Sequence, residues 1–479
     1  MLTPEHTDMQ LTEGKNLKVG MLRRLSSSVA VFLIAWIGIS AGTLIFFFYS
    51  MFSPSGKDAS PLIARTQAMF TPGEMTHGHY QIELACSACH TPMMGVKQDA
   101  CLSCHKEELE IANDTHPASK FADPTNAERL KILDAKKCIT CHREHVPDRT
   151  HPMGLSLPED YCYHCHQDTL EQRPSHAGFA FDSCSNAGCH NYHDNRALYE
   201  NFLFKHLDEP DFLETAVVAL MPETETDPEK ALTLLQQDGP NDVEVSDEML
   251  NDWAQTAHAA AGVNCQACHM TDAGDEAQSV WSNKVGHQAC GKCHQGEVKG
   301  FLASRHGMRL AQELSPMTPA MARHPMKPHS LHAELNCSSC HSGHRFDTKF
   351  AAVDACVKCH NDQHTLAYLE SSHYTLWLDE LAGDLPEGSG VSCATCHMPR
   401  MKVDYELVVQ HNQNETLRPN EKMIRSVCLN CHGTSFSIDS LADQELIEKG
   451  FVGQPSQHIE SLDMVKQWFE SKAKRKRKK

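Results

Sequence analysis

The chain has 479 residues, more than one compact domain requires, and 62 acidic against 43 basic side chains, without the broad basic face that nucleic-acid binding needs. Hydrophobic residues make up 41% but aromatics only 7%, thin for a protein that must build large apolar cores from its own side chains. All 22 cysteines fall in pairs followed at once by histidine, which excludes both a disulfide framework and a free-thiol enzyme.

The N-terminal segment carries Lys15, Lys18, Arg23 and Arg24, and no charge interrupts residues 29–56. The apolar stretch is long enough to cross a hydrocarbon core of about 30 Å. A signal peptide has a shorter apolar region and ends in small residues, whereas Phe46, Phe47, Phe48 and Tyr49 stand here. The expectation is a cytoplasmic N-terminus over 1–28 and an uncleaved transmembrane anchor over 29–51. Basic residues before the span place the remainder in the periplasm, single-pass from the inner membrane. Covalent haem attachment belongs to that outer compartment, where thiols otherwise tend to oxidise.

Eleven pairs follow. Five lie in the first group: Cys86, Cys89 and His90; Cys101, Cys104 and His105; Cys138, Cys141 and His142; Cys162, Cys165 and His166; Cys184, Cys189 and His190. Six lie in the second: Cys265, Cys268 and His269; Cys290, Cys293 and His294; Cys337, Cys340 and His341; Cys356, Cys359 and His360; Cys393, Cys396 and His397; Cys428, Cys431 and His432. By chance, histidine would follow all eleven pairs with a probability of about 10⁻¹³, so the pattern reads as attachment of eleven c-type haems. In each, two cysteines form thioethers to the porphyrin vinyl groups and the histidine turns back onto the iron as proximal ligand. The fifth motif has four residues between its cysteines, with Gly188 to relieve the wider loop. An unattached pair, as a disulfide or metal site, is the competing reading there.

Between the groups, residues 208–252 hold fourteen acidic side chains, one lysine and no cysteine or histidine, which marks a boundary. The expected organisation is a pentahaem domain over 52–206, an acidic linker over 207–250, a hexahaem domain over 251–465 and a basic tail over 466–479. Within the linker, 213–220 and 228–237 have helical composition. Clear helices are expected over 126–135, 366–381 and 460–472. The fold class is mainly α with extensive irregular loops, two haem clusters behind one N-terminal transmembrane helix, and almost no sheet. About 39 residues per haem is too few for a separate protein core around each, so the haems must pack on one another. The tail carries seven basic side chains in its last eight residues, and reads either as a solvated end or as a patch for anionic lipid or an acidic redox partner.

Histidines beyond the proximal eleven are plentiful. The first group offers His77, His79, His116, His145, His151, His164, His176, His193 and His206 for the opposite iron face. The second offers His258, His287, His306, His324, His329, His332, His344, His364, His373, His411 and His458. The favoured distal ligands are His77, His79, His116, His145, His176, His193, His258, His306, His344, His364, His373 and His411. Bis-histidine iron is six-coordinate and transfers electrons without binding substrate. Met93, Met94, Met270, Met308, Met317, Met321, Met326, Met398 and Met401 are alternative sulfur ligands, though packing against porphyrin is the commoner use of a thioether.

Two family resemblances rest on these motifs. His77-Gly78-His79 ahead of Cys86, the stretch CITCHREH from Cys138 to His145, and His176 ahead of Cys184 resemble class III multihaem cytochromes over residues 75–206. That resemblance implies bis-histidine electron carriers. Residues 250–465 resemble the superfamily of hydroxylamine oxidoreductase, pentahaem nitrite reductase and cytochrome c-554. The motifs are Trp253 with His258, Ser304-Arg305-His306-Gly307, CVKCHNDQHTLAYLESSH from Cys356, CATCHMPR from Cys393, and His411 ahead of Cys428. This second resemblance implies one open haem at Cys290, Cys293 and His294, with Arg305, His306, His324 or His364 as proton donors. The chain departs from it in three ways: no motif ends in lysine, Gln363 precedes His364, and no tyrosine follows Tyr405.

The favoured function is a membrane-anchored periplasmic wire. It would take electrons from quinol or another membrane-bound partner and pass them to a soluble periplasmic redox partner, with no nucleic acid involved. The alternative is a reductase of a small nitrogen or sulfur compound at the His294 haem.

Overall fold

The computed structural model describes residues 13–52, 66, 73–91, 94–114, 116–151, 154–158, 160–173, 176, 191–194, 198–222, 227–271, 280–403, 406–417 and 421–477. It is mainly helical, with 52% helix, and falls into two compact units, Met1–Pro72 and Gly73–Lys479. The first unit is a helix, Glu13–Phe52, in which Val29–Ser50 has a mean hydropathy of 2.3. That stretch is long and apolar enough to cross a membrane, a test that a signal sequence also passes.

In the second unit five short helices are each a single turn wound around a cysteine pair. One turn is what the C-x-x-C-H spacing dictates: residues i and i+3 share a face, and residue i+4 follows directly above. Cys86–Cys89, Cys138–Cys141, Cys265–His269, Cys337–His341 and Cys393–His397 are all such turns. In several, the backbone N–H of the histidine donates to the first cysteine's carbonyl, as His294 does to Cys290 and His360 to Cys356. Residues of the motif itself help to start the turn. Ser339 and Thr395, inside their motifs, close capping boxes with Asn336 and Ser392.

Among the described residues the strands form three antiparallel two-stranded hairpins, each beginning at or just after a motif: His90–Thr91 with Gly95–Val96, Met270–Thr271 with Val280–Trp281, and Arg400–Val403 with Glu406–Val409. The expected helices are present at Ala127–Ile132 and Glu460–Arg477. The one expected over 366–381 is broken into Gln363–Tyr368 and Ser372–Ala382, because Ser371 caps the second by accepting from the backbone N–H of Tyr374.

The described residues of the acidic connector are held by hydrogen bonds to other parts of the chain. Residues 213–220 are not helical despite their composition, because their backbone groups bond elsewhere: Leu213 and Val217 donate to the carbonyls of Cys431 and Asn430. In 228–237 only a short turn forms, Leu234–Gln236. Further along, Asp238 and Asn264 bind each other's segments, and Leu232 donates to Ala259. The connector is thus stitched to the eleventh motif at one end and to the sixth at the other.

The buried apolar core likewise joins residues from both sides of the connector. Leu198 and Leu203 pack with Ile424, Ile438, Leu462, Val465 and Phe469. The helices Thr434–Ala442 and Glu460–Arg477 are also clamped by His458, whose Nδ1 and Nε2 meet Asp439 and Asp463 at 2.7 and 3.2 Å.

The hydrogen bond to Asp439, and the two negative charges, hold His458 above its ordinary pKa. A raised folded-state value contributes stability that is full below the unfolded value and is lost as pH rises through the folded one. His458→Gln should therefore lower the thermal midpoint at pH 5.5 and leave it nearly unchanged at pH 9. The effect should stay under about 1 kcal/mol, because the ring is half exposed and solvent screens it. Equal losses at both pH values would contradict this role.

Candidate haem-binding sites

All twenty cysteines of the described motifs are free of disulfides. Among the second cysteines of the motifs, Cys104 and Cys293 stand exposed, while Cys165 and Cys268 are half-buried. The fifth motif, with Cys184, Cys189 and His190, lies outside the described residues, and so the expected haem on its wider loop has no geometry here. Met93 and Tyr405 lie outside them too. Successive motifs are spatial neighbours. The sulfurs of Cys101 and Cys138, of Cys290 and Cys337, and of Cys356 and Cys393 are close neighbours. Burial first, and then neighbouring thiols, raise Cys141 to about 11 beside Cys138 and Cys162, and Cys396 to about 12 beside Cys428 and Cys431, while Cys340, exposed like Cys104 and Cys293, neighbours Cys356 and Cys359.

Opposite each of the ten described proximal histidines stands a second imidazole. The pairs are His90 with His145, His105 with His79, His142 with His193, and His166 with His116. They continue with His269 and His344, His294 and His258, His341 and His411, His360 and His306, His397 and His364, and His432 and His373. Ring centres are 5.9–6.4 Å apart in all ten. An imidazole nitrogen binds a first-row metal at about 2.0 Å and its ring centre lies about 1.1 Å further out, so two rings in line across one iron are about 6.2 Å apart.

Hydrogen bonds fix the ring orientation. A carbonyl can only accept, so a ring nitrogen bound to one carries the proton and leaves Nε2 a lone pair. Such bonds run from Nδ1 of His116 to Tyr192, His142 to Gly154, His145 to Gly73 and His269 to Ser282. Others run from His364 to Ile447, His411 to Val409 and His432 to Asp211. His79 and His105 turn Nδ1 to Glu144 and Glu108 instead, and His360 to Asp362. Burial, and then the ring opposite, push His306, His373 and His397 down to about 4, which keeps them neutral.

Local sequence explains how some rings are placed. In Ser304-Arg305-His306-Gly307, Ser304 accepts from the His306 N–H and donates to the Phe301 carbonyl. Gly307 lies so close to that carbonyl that a side chain would collide with it. His145 and His344 have φ of 61° and 71°, a left-handed strain that marks positions held by their surroundings.

Ten of the twelve favoured distal histidines are among these pairs. The other two are not. The ring of His77 lies 5.4 Å from that of His324, and its Nε2 accepts from Arg305 at 2.9 Å. His176 is described, while the fifth motif that follows it lies outside the described residues. His294, which with Cys290 and Cys293 was expected to carry an open haem, has His258 opposite it at 5.9 Å. Its expected proton donors are elsewhere: His306 and His364 are ring partners of His360 and His397, and Arg305 and His324 gather at His77. With histidine facing every described proximal ligand, the methionines do not fill that place. His206 and His458 turn Nδ1 to Glu209 and Asp439.

These residues fit a covalently bound iron porphyrin. Buried Gln81, 2% exposed, has neither amide atom paired, an orphan of the kind that a cofactor's polar group satisfies.

A family model described as cytochrome c3 matches residues 78–167 and again 257–361, and one described as cytochrome c552 matches 383–472. No curated protein and no solved structure matches the chain. The class III likeness expected for the first half therefore recurs in the second, and the ring pairs recur with it. In each copy a histidine ahead of the first motif, His79 or His258, faces the second motif. The histidine three beyond the third motif's own, His145 or His344, faces the first. His116 or His306 faces the fourth motif, and His193 or His411, beyond the matched segment, faces the third. Even the angles between ring planes follow: 35° and 6° at the first motif, 70° and 86° at the second, 23° and 32° at the third, 79° and 61° at the fourth.

Crossed imidazole planes leave the two iron dπ orbitals nearly equal in energy, whereas parallel planes split them. Electron paramagnetic resonance of the oxidised holoprotein should show two low-spin classes. Strongly anisotropic signals are expected from the six pairs at 61–86°, and rhombic ones from the four at 6–35°. A single rhombic class would contradict these orientations.

Proposed function

The chain is a multihaem c-type cytochrome, and from that premise we propose that it is an electron relay of eleven covalently attached haems, held in mostly bis-histidine coordination. The observation that carries this reading is the second imidazole opposite each of ten proximal histidines. When bound, each haem supplies a one-electron centre whose potential depends on its ligands and their surroundings.

The chain's own residues do the rest. The cysteine pairs fix where each group sits, and the paired histidines occupy both axial positions, so no described site leaves a face for substrate. Neighbouring thiols run from motif to motif, first through fourth and sixth through eleventh, so that electron carriers attached there follow one another along the chain. In this reading Cys184, Cys189 and His190 hold the remaining haem, between those two runs in sequence.

Residues 29–51 anchor the protein in the inner membrane, and the haem-bearing part lies in the periplasm. Electrons come from quinol or a membrane-bound partner and leave to a soluble periplasmic one. The length and hydropathy of Val29–Ser50 support the anchor. The ring of His258 opposite His294 favours the relay over the reductase alternative.

Carbon monoxide tests the choice. Added to the reduced wild-type protein, it should leave the His294 haem unliganded, and His258→Ala should create one new carbon monoxide adduct without loss of covalent haem. If His258→Ala added no adduct because the wild type already bound the gas at that haem, the relay reading would give way to the reductase.

A further inference from the structure

The two copies of the four-motif module share one ligand scheme but not one electrostatic setting. At the second motif both axial imidazoles are backed by carboxylates. His79 donates from Nδ1 to Glu144 at 2.5 Å, and His105 faces Glu108 at 3.4 Å. Glu144 is held in place from the far side, accepting from both the backbone N–H and the hydroxyl of Thr76. The counterpart of His79 in the second copy is His258, and the counterpart of Glu144 is the residue just before His344, which is Gly343. The duplicated site therefore lacks that carboxylate.

We propose that Glu144, assisted by Glu108, is a positioning residue that sets the haem of Cys101, Cys104 and His105 to a lower reduction potential than its duplicate at Cys290, Cys293 and His294. This rests on the bis-histidine reading above. An imidazole that donates a strong hydrogen bond to a carboxylate gains imidazolate character and becomes a better donor to iron, which favours the oxidised state. Two nearby negative charges act in the same direction. Glu144 contributes more than Glu108, because its contact is shorter and less exposed, and because Lys422 also binds Glu108 and offsets part of its charge. The contact with Lys422 ties this site to the helix Glu421–Ser426, which leads into the eleventh motif.

The second copy has room for the missing group. Gly343 does not need a positive φ, and a Cβ there would meet only Ser338, at 3.9 Å and beyond, in ordinary contact. The difference between the two sites is thus one that a single substitution in each direction can exchange.

The experiment is a redox titration of the full-length holoprotein, followed by optical spectra and electron paramagnetic resonance, for the wild type, Glu144→Gln, Gly343→Glu and Lys422→Gln. Glu144→Gln should shift the reduction equilibrium of one haem at least about tenfold toward the reduced state, or 59 mV for one electron, with the others unmoved. Gly343→Glu should shift a different haem toward the oxidised state, and Lys422→Gln should move the first haem the same way. A merely structural role would not give opposite signs. If all haems stay low-spin and neither Glu144→Gln nor Gly343→Glu moves any of them, the proposal is overturned while the bis-histidine reading stands. A high-spin haem at either site in the wild type would instead remove that reading, before any variant is compared.

Discussion

Two histidine rings from distant parts of the chain, set 5.9–6.4 Å apart as one iron between them requires, are the constraint on which the proposed account of this molecule depends. His145 belongs to the third motif's segment but faces the first motif's His90, and His193 comes from beyond the fifth motif to face the third. Each such pair closes a loop, and successive loops overlap so that no motif can be withdrawn without disturbing another. The chain offers little else of comparable strength. Its buried apolar cluster draws on the helices Glu200–His206, Thr434–Ala442 and Glu460–Arg477, while the cysteine-bearing turns are mostly four or five residues long, far too short to persist alone. Ligand binding and folding are then one process, as in other small-core metalloproteins.

The repetition of the ligand scheme between residues 78–167 and 257–361 gives the molecule an internal control. Where the copies agree, as in the crossed rings at the second motif and the nearly parallel ones at the third, the geometry belongs to the module. Where they differ, the difference points to separate duties. Glu144 against Gly343 is one such difference. Another lies four residues beyond the fourth motif's histidine, where the second copy has His364 facing the tenth motif and the first copy has Leu170. The connector, acidic enough to look like a boundary, instead carries the Asp211 carbonyl to the Nδ1 of His432 and so takes part in the last site.

Much of this was legible in the residues. Cysteine spacing marked the motifs, and the surplus of histidines pointed to the distal ligands, ten of which the structure places opposite a proximal ring. Which ring faces which was not read, although a signal existed: histidine three beyond the motif histidine, as at His145, His193 and His344, faces the motif two places earlier each time. Local patterns do not reveal such pairings, because the two rings of a pair come from segments far apart in the chain. The same reason applies where the structure departs from local pattern. Composition made 213–220 helical, but its backbone groups are taken by the eleventh motif. An open haem at Cys290, Cys293 and His294 followed from motif order alone, which does not show that His258 folds back over that site. His77 looked like a ligand by its place before Cys86, yet Arg305 occupies its Nε2 from far along the chain.

The most direct measurement is far-ultraviolet circular dichroism of residues 73–479 produced in cells unable to attach haem, compared with the holoprotein. If metal-bridged histidine pairs hold the fold, the haem-free chain loses most of its helical signal and its cooperative melting. A haem-free chain that kept the helix content of the holoprotein, and melted cooperatively, would show that polypeptide packing suffices and would contradict this view of the molecule.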